Sequence, residues 1–397
     1  MAVISACVET SCPACIHTGA MQPANPIEAV THSDPYPYYR RLAERALHYD
    51  AGLGLWIAGA PATVRAVLEH GAARVRPAEQ PVPPALAGET AGLMFGRFVR
   101  MRDDAGRTVV KALLSQYLRA LPDVLSPCWP DMPTTSAALD DFLFDAPVYA
   151  LAQRLGIAAA DLPAYGAAVR RFRRALGAAA DAAQVAEGSA AADWLQSAML
   201  RHLQNPARGT PLRQLLDDAS SALVEPAIIA ANLVGLLFQS CEAGAGLIGN
   251  TLVALARNPG QAVAARRNMQ YCKQIVARTA QDDPPIHNTR RYVADDISVD
   301  GHVVPAGATI LVVLAAAGTL APQGDVPWTF GAGRHACPGH DPAVSCAAGA
   351  AGHLLDAGLK PADLLPGLAY WNLPNARVPR FAGKAGFAGG AGHSGAS

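Results

Sequence analysis

An excess of charge of either sign is missing from this chain. Its 32 basic and 32 acidic residues cancel, and charged side chains make up only 16% of 397 residues. No basic surplus or stripe marks a bulk nucleic-acid binder. Aromatic residues are scarce at 6%, although 51% of the chain is hydrophobic and alanine recurs throughout. Such a composition can bury a large core, and alanine runs favour helix, so a soluble, mainly helical body is expected. Linker-like breaks are missing from the interior, which argues for one large domain. No internal repeat is found.

The cysteines form no framework either. Cys7, Cys12, Cys15, Cys128, Cys241, Cys272, Cys337 and Cys346 are scattered, unlike those of a small secreted domain. The opening "MAVISACVETSCPACIHTGAMQ" shows no basic start followed by an apolar block, so no signal peptide is expected. Within it, Cys7, Cys12, Cys15 and His17 miss the common two-plus-two zinc spacing. The longest apolar stretch, "IIAANLVGLLFQSCEAGAGLIGNTLVALA", is interrupted by Asn232, Gln239, Glu242 and Asn250. These polar groups make it a buried helix rather than a lipid-facing span. The expectation is a cytoplasmic protein with reduced thiols, bound to neither membrane nor nucleic acid.

Along the chain, residues 1–24 read as a flexible N-terminal leader, 25–381 as the folded domain and 382–397 as a disordered Gly/Ala-rich tail. "NPIEAVTHSDPYPYYRRLAERA" places prolines before an amphipathic helix, and "LHYDAGLGLWIAGAPATVRAVLEHG" reads as a strand pair followed by a helix. From about 92 to 270 the pattern is helical, apart from a proline-rich loop at "LPDVLSPCWPDMPTTSAA". Alternation around "VDGHVVPAG" predicts a hairpin, and "NLPNARVPRF" a further strand. The fold class is mainly α with small β-sheets.

What carries chemistry is "WTFGAGRHACPGHD". Phe330, Gly331, Gly333, Cys337 and Gly339 describe a tight loop whose backbone amides can approach a sulfur. Pro338 suits the first position of a following helix, and a thiolate at a helix N-terminus is favoured by the dipole and free amides. Such a sulfur can ligate iron. With His335 two residues away, a nucleophilic thiol is the other local reading.

The pattern Phe-x-x-Gly-x-x-x-Cys-x-Gly, filled as "FGAGRHACPG", resembles the haem-thiolate signature of the cytochrome P450 family. The resemblance implies haem b with Cys337 as the axial iron ligand, whose electron donation favours O–O cleavage. It also implies that His335 points at a haem propionate and that Phe330 shields the sulfur, with Gly339 close by. "MRDDAGRTVVKALL" resembles the family's propionate-binding helix, with Arg107 and Lys111 one turn apart on the same face. In "DDPPIHNTRRYVADDI", Arg291 matches the family's other propionate arginine, and "GLIGNTLVAL" fits the helix crossing the distal haem face. The resemblance covers roughly residues 25–381.

Three departures qualify it. Where the family shows Ala-Gly-x-Glu/Asp-Thr-Thr, this chain reads Gln239, Ser240, Cys241, Glu242, Ala243, Gly244. The acid stays, but the threonine that helps protonate dioxygen is an alanine. The Glu-x-x-Arg pair is replaced by Arg278 and Gln281, and the loop before the cysteine is reduced to "TLAPQGDVPWT". These losses are coherent, because a buried ion network is less costly to remove whole than to leave one member stranded. The resemblance thus implies an atypical oxidoreductase, a monooxygenase or a peroxide-driven oxidant, acting on a small to medium organic substrate in specialised metabolism. Glu242, aided by Gln239, is the expected distal acid/base. The shortened loop leaves a ferredoxin-type redox partner open. Non-oxidative isomerase or dehydratase chemistry, and a non-catalytic haem-binding or partner protein, are the alternatives.

Overall fold

A computed structural model describes residues 22–122, 127–177, 180–322 and 324–382. Cys7, Cys12, Cys15 and His17, most of the leader and nearly all of the glycine-rich tail lie outside the described residues.

The N-terminal part runs α1 (Tyr36–Ala43), β1 (His48–Asp50), β2 (Leu55–Ala58), α2 (Pro61–Glu69) and β3 (Ala73–Arg74). Helices then dominate: α3 (Thr90–Gly96), α4 (Ala105–Ala120), α5 (Ser136–Arg154), α6 (Leu162–Ala175), α7 (Ala182–Leu203), α8 (Pro211–Ser221), α9 (Pro226–Arg257), α10 (Pro259–Arg267) and α11 (Met269–Asp282). The chain turns to sheet in β4 (Thr289–Val293), β5 (Ile297–Val299), β6 (His302–Val304) and β7 (Thr309–Val312). It closes with α12 (Leu314–Gly318), α13 (His340–Asp356), β8 (Ala369–Tyr370) and β9 (Pro379–Arg380).

α9 is the spine. Its 32 residues span about 48 Å at 1.5 Å per residue. It has the length and hydropathy of a membrane-crossing helix. In this fold, however, α5, α7, α11 and α13 pack around it and bury the stretches Ile229–Gly235 and Ala245–Val253. Small residues allow the close approach. A Cβ on Gly244 would stand 2.4 Å from Pro147 Cβ on α5, and one on Gly246 would stand 2.7 Å from the Arg377 carbonyl oxygen. α4 starts on Asp104, whose side chain accepts the Arg107 N–H, and α11 starts on Asn268, which caps Tyr271.

The main sheet has the order β1-β2-β7-β4-β3, with β2 and β7 parallel and the other pairs antiparallel. In its register Arg291 on β4 faces Ile310 on β7. The expected hairpin is β5–β6, turned by Asp300 (φ 54°) and Gly301 (φ 75°). Both residues are left-handed, as a two-residue hairpin turn requires. Asp300 tolerates this while its carboxylate accepts from Leu47 N–H and the Thr63 hydroxyl. The expected strand in "NLPNARVPRF" is only Pro379–Arg380, paired with Ala369–Tyr370, because the prolines leave few amides to donate to a ladder. Of the expected proline-rich loop, residues 123–126 lie outside the described residues, 127–135 are irregular, and α5 already begins at Ser136.

A buried ion pair ties the chain's ends to α11. Arg377 is 1% exposed. It donates to Asp283 at 2.9 Å and to the carbonyls of Val30 and His32 at 2.9 and 2.8 Å. Its guanidinium lies over the Tyr370 ring, and Tyr36 donates its hydroxyl to the same Asp283 carboxylate. Tyr39 and His287 bond to each other at 2.8 Å nearby.

Candidate cofactor site

The cysteine loop is built by glycines. After the turn Trp328–Phe330, Gly331 adopts φ 68° and Gly333 φ 62°, a backbone that a Cβ would strain. These two positions let the chain double back so that the Cys337 N–H donates to the Phe330 carbonyl at 2.8 Å. The Gly339 N–H points at Cys337 Sγ at 3.3 Å. α13 begins at His340 with Gly339 as its cap, so Pro338 stands before the helix and not at its first position. The reason is local: Gly339 can take the non-helical cap conformation and lend its amide to the sulfur. The Phe330 ring packs edge-on against His340 at 4.4 Å.

Cys337 is accessible, yet the surrounding protein pushes its thiol pKa up by desolvation, opposed by the Gly339 amide and by Arg100 and Lys111. The side chain is accessible while the protein around it limits its hydration. The middle of α9 shows the same character. Phe238, Gln239, Ser240, Glu242, Ala243 and Gly244 are partly accessible, whereas the turns on either side are buried.

Around the loop stand Arg107 and Lys111 on α4, Arg291 on β4, Arg100, Arg334 and His335. Arg107 donates to the Arg334 carbonyl and lies 3.4 Å from His335 Nδ1, while Lys111 Nζ reaches the same carbonyl at 2.5 Å. His335 Nε2–H donates to Asp103 at 2.9 Å. With Nδ1 turned to Arg107, the imidazole is neutral, and burial lowers its pKa. Both ring nitrogens are thus engaged away from the sulfur, which removes the paired base that a nucleophilic Cys337 needs. Arg291 is buried, and its pKa falls to about 10 by desolvation. Lys111 falls to about 8 through burial and the neighbouring Arg107. The Nε atoms of Arg291 and Arg334 have no hydrogen-bond acceptor. Among the described residues, the guanidinium and ammonium groups here outnumber the carboxylates of Asp103, Asp104 and Glu242 that act on them, so the cluster is short of negative charge. A ligand bearing two carboxylates beside the sulfur supplies it, so the residues present fit a haem.

On the distal side the two expected residues do not meet. Gln239 Nε2 donates to the Gly235 carbonyl of its own helix at 2.8 Å. Glu242 accepts from Arg173 of α6 at 3.1 Å, and Arg173 sits over the Phe144 ring of α5. Cys241 points the other way, to the Phe144 carbonyl. Of the Glu-x-x-Arg positions, Arg278 pairs with Asp282 at the surface and Gln281 bonds the Pro322 carbonyl in the shortened loop before the cysteine. Asp103, Arg100, Arg334 and Arg173 were not singled out by sequence reasoning. Arg334 and Asp103 lie inside the two quoted motifs, but only their neighbours match a family position.

No family model matches the chain. It is 32% identical over 124 residues to putative cytochrome P450 133B1 of Xylella fastidiosa (strain 9a5c), covering 28% of this chain and 31% of that protein. It is 36% identical over 81 residues to cytochrome P450 monooxygenase PikC of Streptomyces venezuelae, covering 20% of each. The match thus spans less than a third of the length of either relative. By structure it superposes on CalO2 with a TM-score of 0.68 at 22% identity, covering 87% of this chain and 94% of that one. In this fold the loop brings the Cys337 sulfur within 3.3 Å of the Gly339 amide. The chain has the fold of cytochrome P450 structures.

Proposed function

We propose that this protein is a cytoplasmic haem-thiolate oxidoreductase that oxygenates or oxidises a small to medium organic molecule in specialised metabolism. The observation that carries the reading is the loop that presents Cys337 beside a buried, undercompensated cationic cluster. The haem, when bound, supplies a redox-active iron whose thiolate ligand promotes O–O cleavage. Cys337 would hold the iron, and the Gly339 amide, 3.3 Å from the sulfur, would draw charge from it. Arg107, Lys111 and Arg291 would take the propionates, with His335 held beside them by Asp103 and Arg107, while Phe330 covers one side of the loop.

Glu242 is the proton-handling group, since Ala243 offers no hydroxyl. Its carboxylate is held by Arg173 at 3.1 Å. Gln239, tied to Gly235, shapes the wall and does not relay protons. The short segment 319–327 supports a peroxide-driven route over electron delivery by a ferredoxin-type partner. It leaves less of the protein around the cysteine loop for such a partner to dock on.

Turnover of hydrogen peroxide with a chromogenic phenol tests this in the haem-loaded protein. Wild type is expected to turn over, and Glu242→Gln to lose about 10²-fold, the low end for a general acid/base. A haem-loaded protein inert to peroxide and to reductant with dioxygen alike has a non-catalytic role instead.

A further inference from the structure

We propose that Asp103 is a positioning residue that locks the cysteine loop, taking over the role that Arg278 and Gln281 of α11 no longer serve. The proposal rests on the reading of Cys337 as the haem ligand. Asp103 Oδ1 accepts from Arg334 Nη2 at 3.0 Å and from His335 Nε2 at 2.9 Å, while Oδ2 accepts the Val75 N–H at 2.8 Å. The same Arg334 Nη2 donates to the carbonyls of Gly71 and Ala73, each at 3.2 Å. The Arg334 carbonyl takes Arg107 and Lys111. Both residues before Ala336–Cys337 are therefore fixed, Arg334 through its side chain and its carbonyl and His335 through both ring nitrogens.

The anchors are what make this a positioning device. Gly71 and Ala73 lie at the turn into β3, and β3 pairs with β4, which carries Arg291. The brace thus fixes the sulfur relative to the buried arginine that faces the same ligand. Asp103 suits the task. Burial alone raises its pKa, yet the bonds from His335 and Val75 and the charge of Arg334 bring it below the ordinary value, so it stays charged. It also offsets the charges of Arg107, Arg291 and Arg334, and its loss leaves more of their repulsion unopposed.

The test uses the full-length protein with Asp103→Asn, Arg334→Gln, the double variant, and Arg278→Ala as a control. Two readouts are compared: the fraction of reduced, carbon monoxide-bound haem in the thiolate rather than the neutral-thiol form, and amide exchange at Ala336 and Cys337 in the haem-free protein. Asp103→Asn is expected to speed exchange and haem loss about ten-fold, the scale of one charge-assisted hydrogen bond. It should also raise the neutral-thiol fraction. Arg334→Gln should do the same, the double variant should be no worse than Asp103→Asn, and Arg278→Ala should match wild type. Should Asp103→Asn not fold, Arg334→Gln carries the comparison, because Asp103 then keeps its bonds to Val75 and His335. Unchanged exchange and an unchanged thiolate fraction in both single variants overturn the brace while the haem reading stands. A wild type without a thiolate band overturns the haem reading, and faster loop exchange in the variants then still supports the brace.

Discussion

Neutralising Asp283 gives the sharpest stability prediction. Asp283→Asn keeps the shape of the side chain but leaves the Arg377 guanidinium, 1% exposed, without its counter-ion. Stranding a buried charge costs about 3–5 kcal/mol. Here the carbonyls of Val30 and His32 and the Tyr370 ring still receive the cation, which places the loss near the lower bound, about 3 kcal/mol. That is a change of about two powers of ten in the folding equilibrium constant. The assay is urea unfolding of the haem-free protein followed by far-ultraviolet circular dichroism, with the slope checked for constancy. Replacing both partners, Asp283→Leu with Arg377→Met, should recover only part of the loss, since the Val30 and His32 carbonyls then lose their donors. A cost below about 1 kcal/mol for Asp283→Asn, with an unchanged slope, refutes the view that this pair anchors the segments around Val30–His32 and Arg377 to the end of α11.

Gly244→Val should destabilise by about 1–3 kcal/mol, because the new Cβ collides with the Pro147 ring and neither helix can retreat. Gly260→Ala in α10, where a Cβ meets nothing within 4 Å, should instead gain up to about 1 kcal/mol. Thermal melts of the two variants check both signs. Lys111, with its pKa lowered to about 8 by burial and Arg107, binds a proton less readily folded than unfolded. It therefore opposes folding below pH 8 in the haem-free protein, and stability recovers as pH rises from about 8 towards its ordinary value. Lys111→Met should raise the neutral-pH stability of the haem-free protein, and the gain should fade in alkali; a pH-independent gain contradicts the assignment. Ala243→Thr restores the family hydroxyl beside Glu242, and in reductant-driven assays it should raise product formed per electron consumed, with peroxide turnover unaffected.

Much of the architecture was legible because its signals are local. The apolar length of α9 identified a buried helix, and the Asp-Gly turn with β-branched flanks identified β5–β6. The spacing of phenylalanine, glycines and cysteine described a loop whose backbone geometry only glycine accepts at Gly331 and Gly333. Pairing across long sequence distance was not legible: nothing in β2 announces that it runs parallel to β7, some 250 residues later. The same holds for charge. Glu242 was recognised from its position in a helix, but its partner Arg173 lies on α6, and no periodicity links the two. Asp103 was quoted for the cations beside it, since a carboxylate shows its role only when the loop it braces is folded against it. Pro338 fell one place short of the helix because Gly339 serves as both cap and donor to the sulfur.

The most direct measurement is the absorption spectrum of the purified protein, reduced and exposed to carbon monoxide, alongside Cys337→Ser. A strongly red-shifted Soret band in the wild type, lost in Cys337→Ser, is the predicted result and establishes the thiolate ligand. A protein that takes up no haem, or whose band is that of a neutral thiol or histidine ligand and is unmoved by Cys337→Ser, contradicts it.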